Sequence, residues 1–273
     1  FEDGSDLLGQ RIGVYRIEKL LACGGMGRVF LAVRDDAGFE QRVALKVLRA
    51  GLVDDLTRRR FLEERRVLAR LSHPHIARLY DGGLGPDGEP WYAMEYIDGA
   101  PLTEWCDARK LSIAARLDLF RKACEAVDFA HRHLVIHRDI KPGNIMVDAE
   151  GNPKLLDFGI AKLLTRRDAE TRNETGLMTP EYAAPEQLRG GAISTATDTY
   201  SLGAVLFELL CGQRPFADPL ASRDSPSIRR ACATAGADAA DRAQARATDP
   251  LHLRVMLRGD LERLLDEQVE ELP

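Results

Sequence analysis

Residues 137–159 read HRDIKPGNIMVDAEGNPKLLDFG and bring two carboxylates and one carboxamide, Asp139, Asp157 and Asn144, into one short stretch. A carboxylate such as Asp139 can orient a hydroxyl nucleophile and accept its proton. The amide oxygen of Asn144 and the carboxylate of Asp157 are hard oxygen donors of the kind Mg²⁺ prefers, and together the three groups suit a phosphoryl transfer. Between them, residues 145–147 and 154–156 flank Glu150-Gly151-Asn152. That pattern predicts a tight β-hairpin, which would hold the two reactive loops at a fixed spacing.

The elements that must carry this stretch are written in its flanks. Ile113, Leu117, Phe120, Cys124, Val127, Ala130 and Leu134 recur at steps of three and four, which predicts a helix over 112–134 feeding straight into His137. Near the start, after a lead-in over residues 1–14 of which 1–10 read as mobile, YRIEKLLA, CGGMG and RVFLAV read as strand, glycine-bearing turn and strand. Glycines there let main-chain N–H groups approach phosphates that side chains would obstruct. Cys23, at the tip, reads either as a reactive thiol or as an inert small side chain. Residues 42–48 predict a strand in which Lys46 stands between apolar neighbours on both sides, and a lysine facing the interior wants an anionic partner. The following helix, capped by Asp54 or Asp55 and striped by Phe61, Leu68 and Leu71, offers Glu63 and Glu64; Glu64 shares the face of the stripe. Strands are predicted over 76–80 and 91–94, with GGLGPDGEP as the loop between them. A helix opens near Asp198, which on its residue type alone reads as a cap, and ends at Gly212. Residues 217–250, rich in Ala, Arg and Asp, are weakly helical and read as an insertion or docking surface; Leu261, Leu264, Leu265 and Val269 form a last stripe.

With 273 residues, 45% hydrophobic and 30% charged, the chain can bury a sizeable core in one large domain or two lobes. A net charge of -5 supplies no basic field for nucleic acid or an anionic membrane, and Arg58-Arg59-Arg60 with Arg65-Arg66 reads as a solvated helix face. The five cysteines are scattered without a C-x-x-C pair, which argues against a disulfide framework or a zinc site and predicts a reducing compartment. No apolar run approaches the roughly 18 residues of a membrane span. The expectation is a cytoplasmic domain. Because residue 1 is Phe, it reads as a piece of a longer protein whose membrane anchor, where there is one, lies elsewhere.

The H-R-D-x-x-x-x-N pattern at 137–144 and D-F-G at 157–159, with Asp157 thirteen residues after Asn144, resemble the protein kinase family. Residues 22–29, ACGGMGRV, are similar to its G-x-G-x-x-G-x-V loop, and residues 43–46, VALK, to its V-A-I-K strand. Residues 179–187, TPEYAAPEQ, are especially like the bacterial Ser/Thr kinases of eukaryotic type. The resemblance implies an α+β bilobal fold: a small β-rich N-lobe with one main helix over 15–94, a hinge at 95–99, and a larger, mainly helical C-lobe over 100–273. It implies ATP with Mg²⁺ or Mn²⁺, protein substrates with Ser or Thr hydroxyls, and self-association for autophosphorylation.

By the same resemblance, Asp139 is the base, Lys141 stabilises the transferring group and bonds Thr179, Lys46 paired with Glu64 grips the α and β phosphates, and Asn144 and Asp157 hold metal. Leu21, Ala22, Cys23 and Gly24 would cover the nucleotide together with Gly25, Met26 and Gly27. Val29, Ala44 and Met146 would sandwich adenine beside the gatekeeper Met94, with the backbone of Glu95 and Ile97 hydrogen-bonding the base. Arg138 would bind a phosphate on Thr171 or Thr175, the favoured hydroxyls beside Thr165 in a polar activation segment. Asp198 would bond the catalytic-loop backbone, and Glu186 would pair with a late arginine.

Three positions depart from the family's pattern. Ala22 replaces the first glycine, which strains the backbone if that position needs a positive φ. Met178 replaces a glycine, and no late arginine is found for Glu186, whose burial without a partner would be strongly unfavourable. Ala22 and this unmatched end leave open a pseudokinase, a binding or scaffolding module of the same fold. A small-molecule kinase is the other alternative, against which Lys141, Thr179 and the A-P-E triplet stand as protein-substrate features.

Overall fold

Runs of alternating apolar residues up to Glu95 pair into one antiparallel sheet of six strands: β1 (Arg11–Ile12), β2 (Tyr15–Gly24), β3 (Gly27–Asp36), β4 (Phe39–Leu48), β5 (Leu79–Leu84) and β6 (Pro90–Glu95), in the order β1-β2-β3-β4-β6-β5. The computed structural model describes residues 5–25, 27–36, 39–48, 65, 67–85, 88–158, 180–214 and 237–257. These fall into two compact units, divided between Ile97 and Asp98.

In the first unit one sheet face carries the core. Ile17, Phe30, Ala32, Val43, Leu45 and Ala93 are almost wholly removed from water and pack with Tyr15 and Trp91, whose rings meet edge to face at 5.8 Å. Each such large side chain contributes about 1.5–3 kcal/mol by burial. β4, between β3 and β6, is buried on both faces from Val43 to Leu48, which is why its apolar run is continuous.

Two expectations are corrected here. Of the stretch read as mobile over 1–10, Gly9 and Gln10 are held to β2, the N–H of Gly9 donating to Ile17 O and Gln10 O accepting from the N–H of Ile17, both at 2.9 Å. Beyond it Ile12 is buried, β1 pairs with β2, and Gly13, at a φ of 60°, turns against Trp91, where an added Cβ would lie 3.0 Å from the ring. The first three residues of the segment read as a glycine loop, Gly82 to Leu84, are the second half of β5. Glycine suits positions 82 and 83 of the strand because β6 runs close: a Cβ on Gly82 would sit 3.0 Å from Trp91 O, and one on Gly83 3.1 Å from the Trp91 ring, tight contacts for any side chain. Leu68 and Leu71 are buried as the stripe predicts, whereas Phe61 lies outside the described residues.

The second unit holds a three-stranded antiparallel sheet, β7 (Gly99–Pro101), β8 (Ile145–Asp148) and β9 (Pro153–Leu155), with helices α1 (Leu102–Ala108), α2 (Ile113–Arg132), α3 (Pro185–Arg189), α4 (Thr195–Cys211), α5 (Ala237–Ala245) and α6 (Pro250–Met256). The predicted hairpin is β8–β9, closed by Asp148, which accepts from the N–H of Asn152 at 2.7 Å while Gly151 takes a φ of 84°. β7 gives no sequence signal of its own. Gly99 is required for its pairing, because a Cβ there would fall 2.0 Å from Val147 O.

α2 starts at the Ser112 cap and buries Ile113, Phe120, Val127 and Ala130, but Leu134 lies beyond its end and is 94% exposed. The helix stops at His133, so the stripe ends one turn earlier than its spacing suggests. Part of the stretch read as weakly helical is packed: α5 buries Ala243, Arg246 just after it is buried too, and α6 beyond buries Leu253.

Arg246 and Arg116 are the largest fully buried side chains of the described residues, and both close the C-terminal end of α4. Arg116 donates to Leu209 O at 3.2 Å, Ala245 O at 2.5 Å and Leu111 O at 2.9 Å. Arg246 donates to Leu210 O at 2.6 Å and Leu209 O at 3.0 Å. The last carbonyls of a helix lack partners within it and carry its negative dipole end, so two guanidinium groups satisfy both needs. Asp107 Oδ1 lies 2.7 Å from Arg116 and 3.5 Å from Arg246. Burial, and then the neighbouring Arg116, bring the Arg246 pKa down to about 10. Arg116→Ala should therefore destabilise the protein by about 3 kcal/mol or more in urea titrations, and Arg116→Lys should recover little, because an ammonium cannot span three carbonyls.

Candidate active site

Residues paired across antiparallel strands share a face. Ala22, Val29, Lys46 and Tyr92 form one row, and Leu31, Ala44 and Met94 the next, on the face opposite Phe30, Leu45 and Ala93. Lys46 is buried in the middle strand rather than at an edge, with its Nζ 5.8 Å from the centre of the Tyr92 ring. Ala22 is not at a positive φ, so the strain considered for it does not arise. Leu21 is the extra residue of a bulge opposite β3 and is exposed, as are Cys23 and Gly24, while Gly25 is half-buried. Gly27 is fixed by packing, since a Cβ would meet Val47 O at 2.2 Å, whereas one on Gly24 would meet nothing within 4 Å. The N–H of Glu95 donates to Arg78 O at 2.8 Å, and Ile97 follows, half-buried, after β6. Glu64, Met26, Thr171, Thr175 and Thr179 lie outside the described residues.

In the second unit the catalytic loop hangs on one carboxylate. Asp198, fully buried in the first turns of α4, accepts the N–H of His137 at 2.7 Å, the N–H of Arg138 at 2.8 Å and His131 Nε2 at 2.8 Å. The capping role belongs instead to Ser194, whose hydroxyl accepts from the N–H of Ala196. Sequence reasoning passed over His131, though its place at the end of α2, six residues before His137, was a usable signal.

His137 is fully buried against Phe158, ring centres 4.7 Å apart. Its Nδ1 accepts from the N–H of Asp139 at 3.2 Å, so its Nε2 carries the proton and donates to Leu156 O at 2.8 Å. Burial holds its pKa below the usual histidine value, against the opposing pull of Asp198. One neutral ring thus spans the loop bearing Asp139 and the strand end preceding Asp157.

Asp139, Lys141 and Asn144 converge. Asn144 Nδ2 donates to Asp139 O at 2.7 Å and to Asp139 Oδ2 at 2.9 Å, and Lys141 Nζ lies 3.1 Å from the same Oδ2. Two acceptors on one side assign the Asn144 amino group unambiguously and turn its Oδ1 the other way. The main chain locks the next piece: the N–H of Leu156 donates to Asn144 O at 2.8 Å, one residue before Asp157. Met146 lies on β8 opposite Lys154. Arg138 and Asp157 both take a left-handed backbone, φ 69° and 58°, a conformation that persists only where surrounding bonds over-determine it. Glu186 is satisfied by the hydroxyl of Thr197, which donates to its Oε1 at 2.5 Å.

The chain belongs to the protein kinase domain family, whose model matches residues 15–251. It is 41% identical over 213 residues to the serine/threonine-protein kinase PknA of Mycobacterium tuberculosis, covering 75% of this chain and 48% of that protein. To PrkC of Bacillus subtilis it is 40% identical over 214 residues, 77% of this chain and 32% of the relative. The chain therefore spans about a third to a half of the curated relatives it matches. A crystal structure of the Mycobacterium tuberculosis PknI kinase domain superposes with a TM-score of 0.65 at 31% identity, covering 95% of this chain and 96% of that one.

A histidine held neutral by burial binds its proton more weakly folded than unfolded. Its contribution to stability is complete above the unfolded value near pH 6.5 and is lost as the pH falls toward the folded pKa. Stability measured by chemical denaturation from pH 7.5 to 5 should decline less steeply in His137→Tyr than in the wild-type protein.

Proposed function

We propose that the chain is a serine/threonine protein kinase that moves the γ-phosphoryl group of ATP to Ser or Thr hydroxyls of proteins. The observation that carries this reading is the convergence of Lys141 and Asn144 on one oxygen of Asp139, in a loop whose main chain is pinned by Asp198. In this reading the Asp139 carboxylate, its plane set by those two contacts, orients the attacking hydroxyl and takes its proton. Lys141 places positive charge beside the transferring group, and Lys46 does the same for the phosphates of the nucleotide from its own sheet face. At Glu95 it is the carbonyl, since the N–H already serves Arg78, that an adenine would meet.

The residues fit a hard cation: Asn144 Oδ1 points away from Asp139 and Asp157 supplies a carboxylate, so Asn144 and Asp157 would hold Mg²⁺ or Mn²⁺. When bound, such an ion neutralises charge on the phosphate oxygens. A cytoplasmic location, transfer between two copies of the chain, and a regulatory phosphate on Thr171 or Thr175 complete the proposal. Of the two features that left a pseudokinase open, the first loses its force, because Ala22 adopts no strained φ.

Incubation of the purified protein with labelled ATP and Mg²⁺ should label it and a basic Ser/Thr substrate; a folded protein that transfers nothing would overturn the enzyme reading. Asp139→Asn should bind ATP as the wild type does and lower turnover by about 10²- to 10⁴-fold. Mass spectrometry of the active protein should find phosphate on Thr171 or Thr175, and the absence of both would remove the regulatory assignment.

A further inference from the structure

Arg138, with its left-handed φ of 69°, is gripped at both of its main-chain groups by side chains from two other elements of the same unit. Its N–H is taken by Asp198 Oδ1 of α4 at 2.8 Å, and its carbonyl accepts from Gln187 Nε2 of α3 at 2.8 Å. That carbonyl belongs to the peptide joining Arg138 to Asp139, so its orientation sets the direction in which Asp139 leaves the main chain. The other atom of the same carboxamide, Gln187 Oε1, accepts from the N–H of Ala184 at 3.1 Å and closes the start of α3.

The neighbouring residues anchor α3 separately. Glu186 accepts from Thr197, and Tyr182 O accepts from the Ser201 hydroxyl at 2.8 Å. Capping the helix requires only the oxygen of Gln187, and residues 180–189 are held to α4 without it. Its nitrogen is spent on the catalytic loop.

Resting on the reading of Asp139 as the base, we propose that Gln187 is a positioning residue that transmits docking of residues 180–189 to the orientation of Asp139. With the docked stretch in place, the carboxamide completes the over-determination that a left-handed Arg138 needs. With it displaced, the Arg138–Asp139 peptide loses the bond at its carbonyl and keeps that from its N–H to His137 Nδ1, so its orientation is set less tightly. Turnover then depends on the seating of a stretch that itself contains no reacting group.

Glutamate separates the two roles. Gln187→Glu keeps an oxygen for the Ala184 N–H but puts an acceptor, which has no proton to give at neutral pH, against the Arg138 carbonyl. The expected result is an unchanged Tm, a kcat lower by about tenfold, equivalent to ~1.4 kcal/mol, and a KM for ATP within about twofold of wild type. Hydrogen exchange at the amides of residues 137–144 should quicken in Gln187→Glu while the rest of the unit stays protected. Gln187→Ala, which loses both bonds, should lower Tm as well. Wild-type kcat and wild-type exchange in Gln187→Glu would overturn the proposal, and so would losses that merely follow a fall in protection across the whole unit. A wild-type protein that transfers no phosphoryl group would instead refute the functional reading, and the exchange comparison would still decide whether the clamp exists.

Discussion

A carboxylate removed from water must be surrounded by donors, and the way Asp198 meets that requirement organises the second unit of this protein. Its three donors come from the end of α2 and from two consecutive peptides of the catalytic loop. The helix that carries it is amphipathic only weakly and buried almost all round, so it cannot shift without breaking a core. The loop is therefore referenced to a helix set in the core. His137 extends the same frame to Leu156, and Asn144 extends it again through the N–H of Leu156, so the residues flanking Asp157 are tied to those flanking Asp139 by hydrogen bonds rather than by chain length alone.

The first unit solves a different problem, that of presenting one charge within apolar surroundings. A six-stranded sheet has two faces, and here they divide the work: one buries Phe30, Leu45 and Ala93 with the aromatic pair, and the other bears Val29, Ala44, Met94 and Lys46. The position of Lys46 in the middle strand explains its burial, because strands on both sides screen its stem. Gly27 serves the sheet by letting β3 and β4 approach, whereas Gly24 lies open to substitution. A glycine-bearing motif thus holds residues kept for different physical reasons.

Two departures from the family's pattern find local solutions. Ala22 sits just after a β-bulge with an ordinary backbone, so its methyl group costs no strain. Glu186 accepts from the hydroxyl of Thr197 on the facing helix. The buried arginines lie elsewhere: Arg116 and Arg246 complete the far end of α4, whose opposite end carries Asp198. The same helix is thus satisfied at one end by cations and at the other by the loop it holds.

By itself the sequence determined the local elements and pointed to the chemistry proposed for them. Asp139, Asn144 and Asp157 are recognisable because a phosphoryl transfer needs those groups in that order, and the β8–β9 hairpin and α2 because period and turn residues are local properties. Only the tertiary structure decided what each polar group is paired with. The three donors to Asp198, the grip of Gln187 on Arg138, the Thr197 bond to Glu186 and the burial of Arg116 and Arg246 join residues from 11 to 129 positions apart. The strand role of Gly82 and Gly83 likewise depends on Trp91 and Tyr92 beside them. A hydrogen bond or a close approach depends on which surfaces meet, and no periodicity along the chain encodes that.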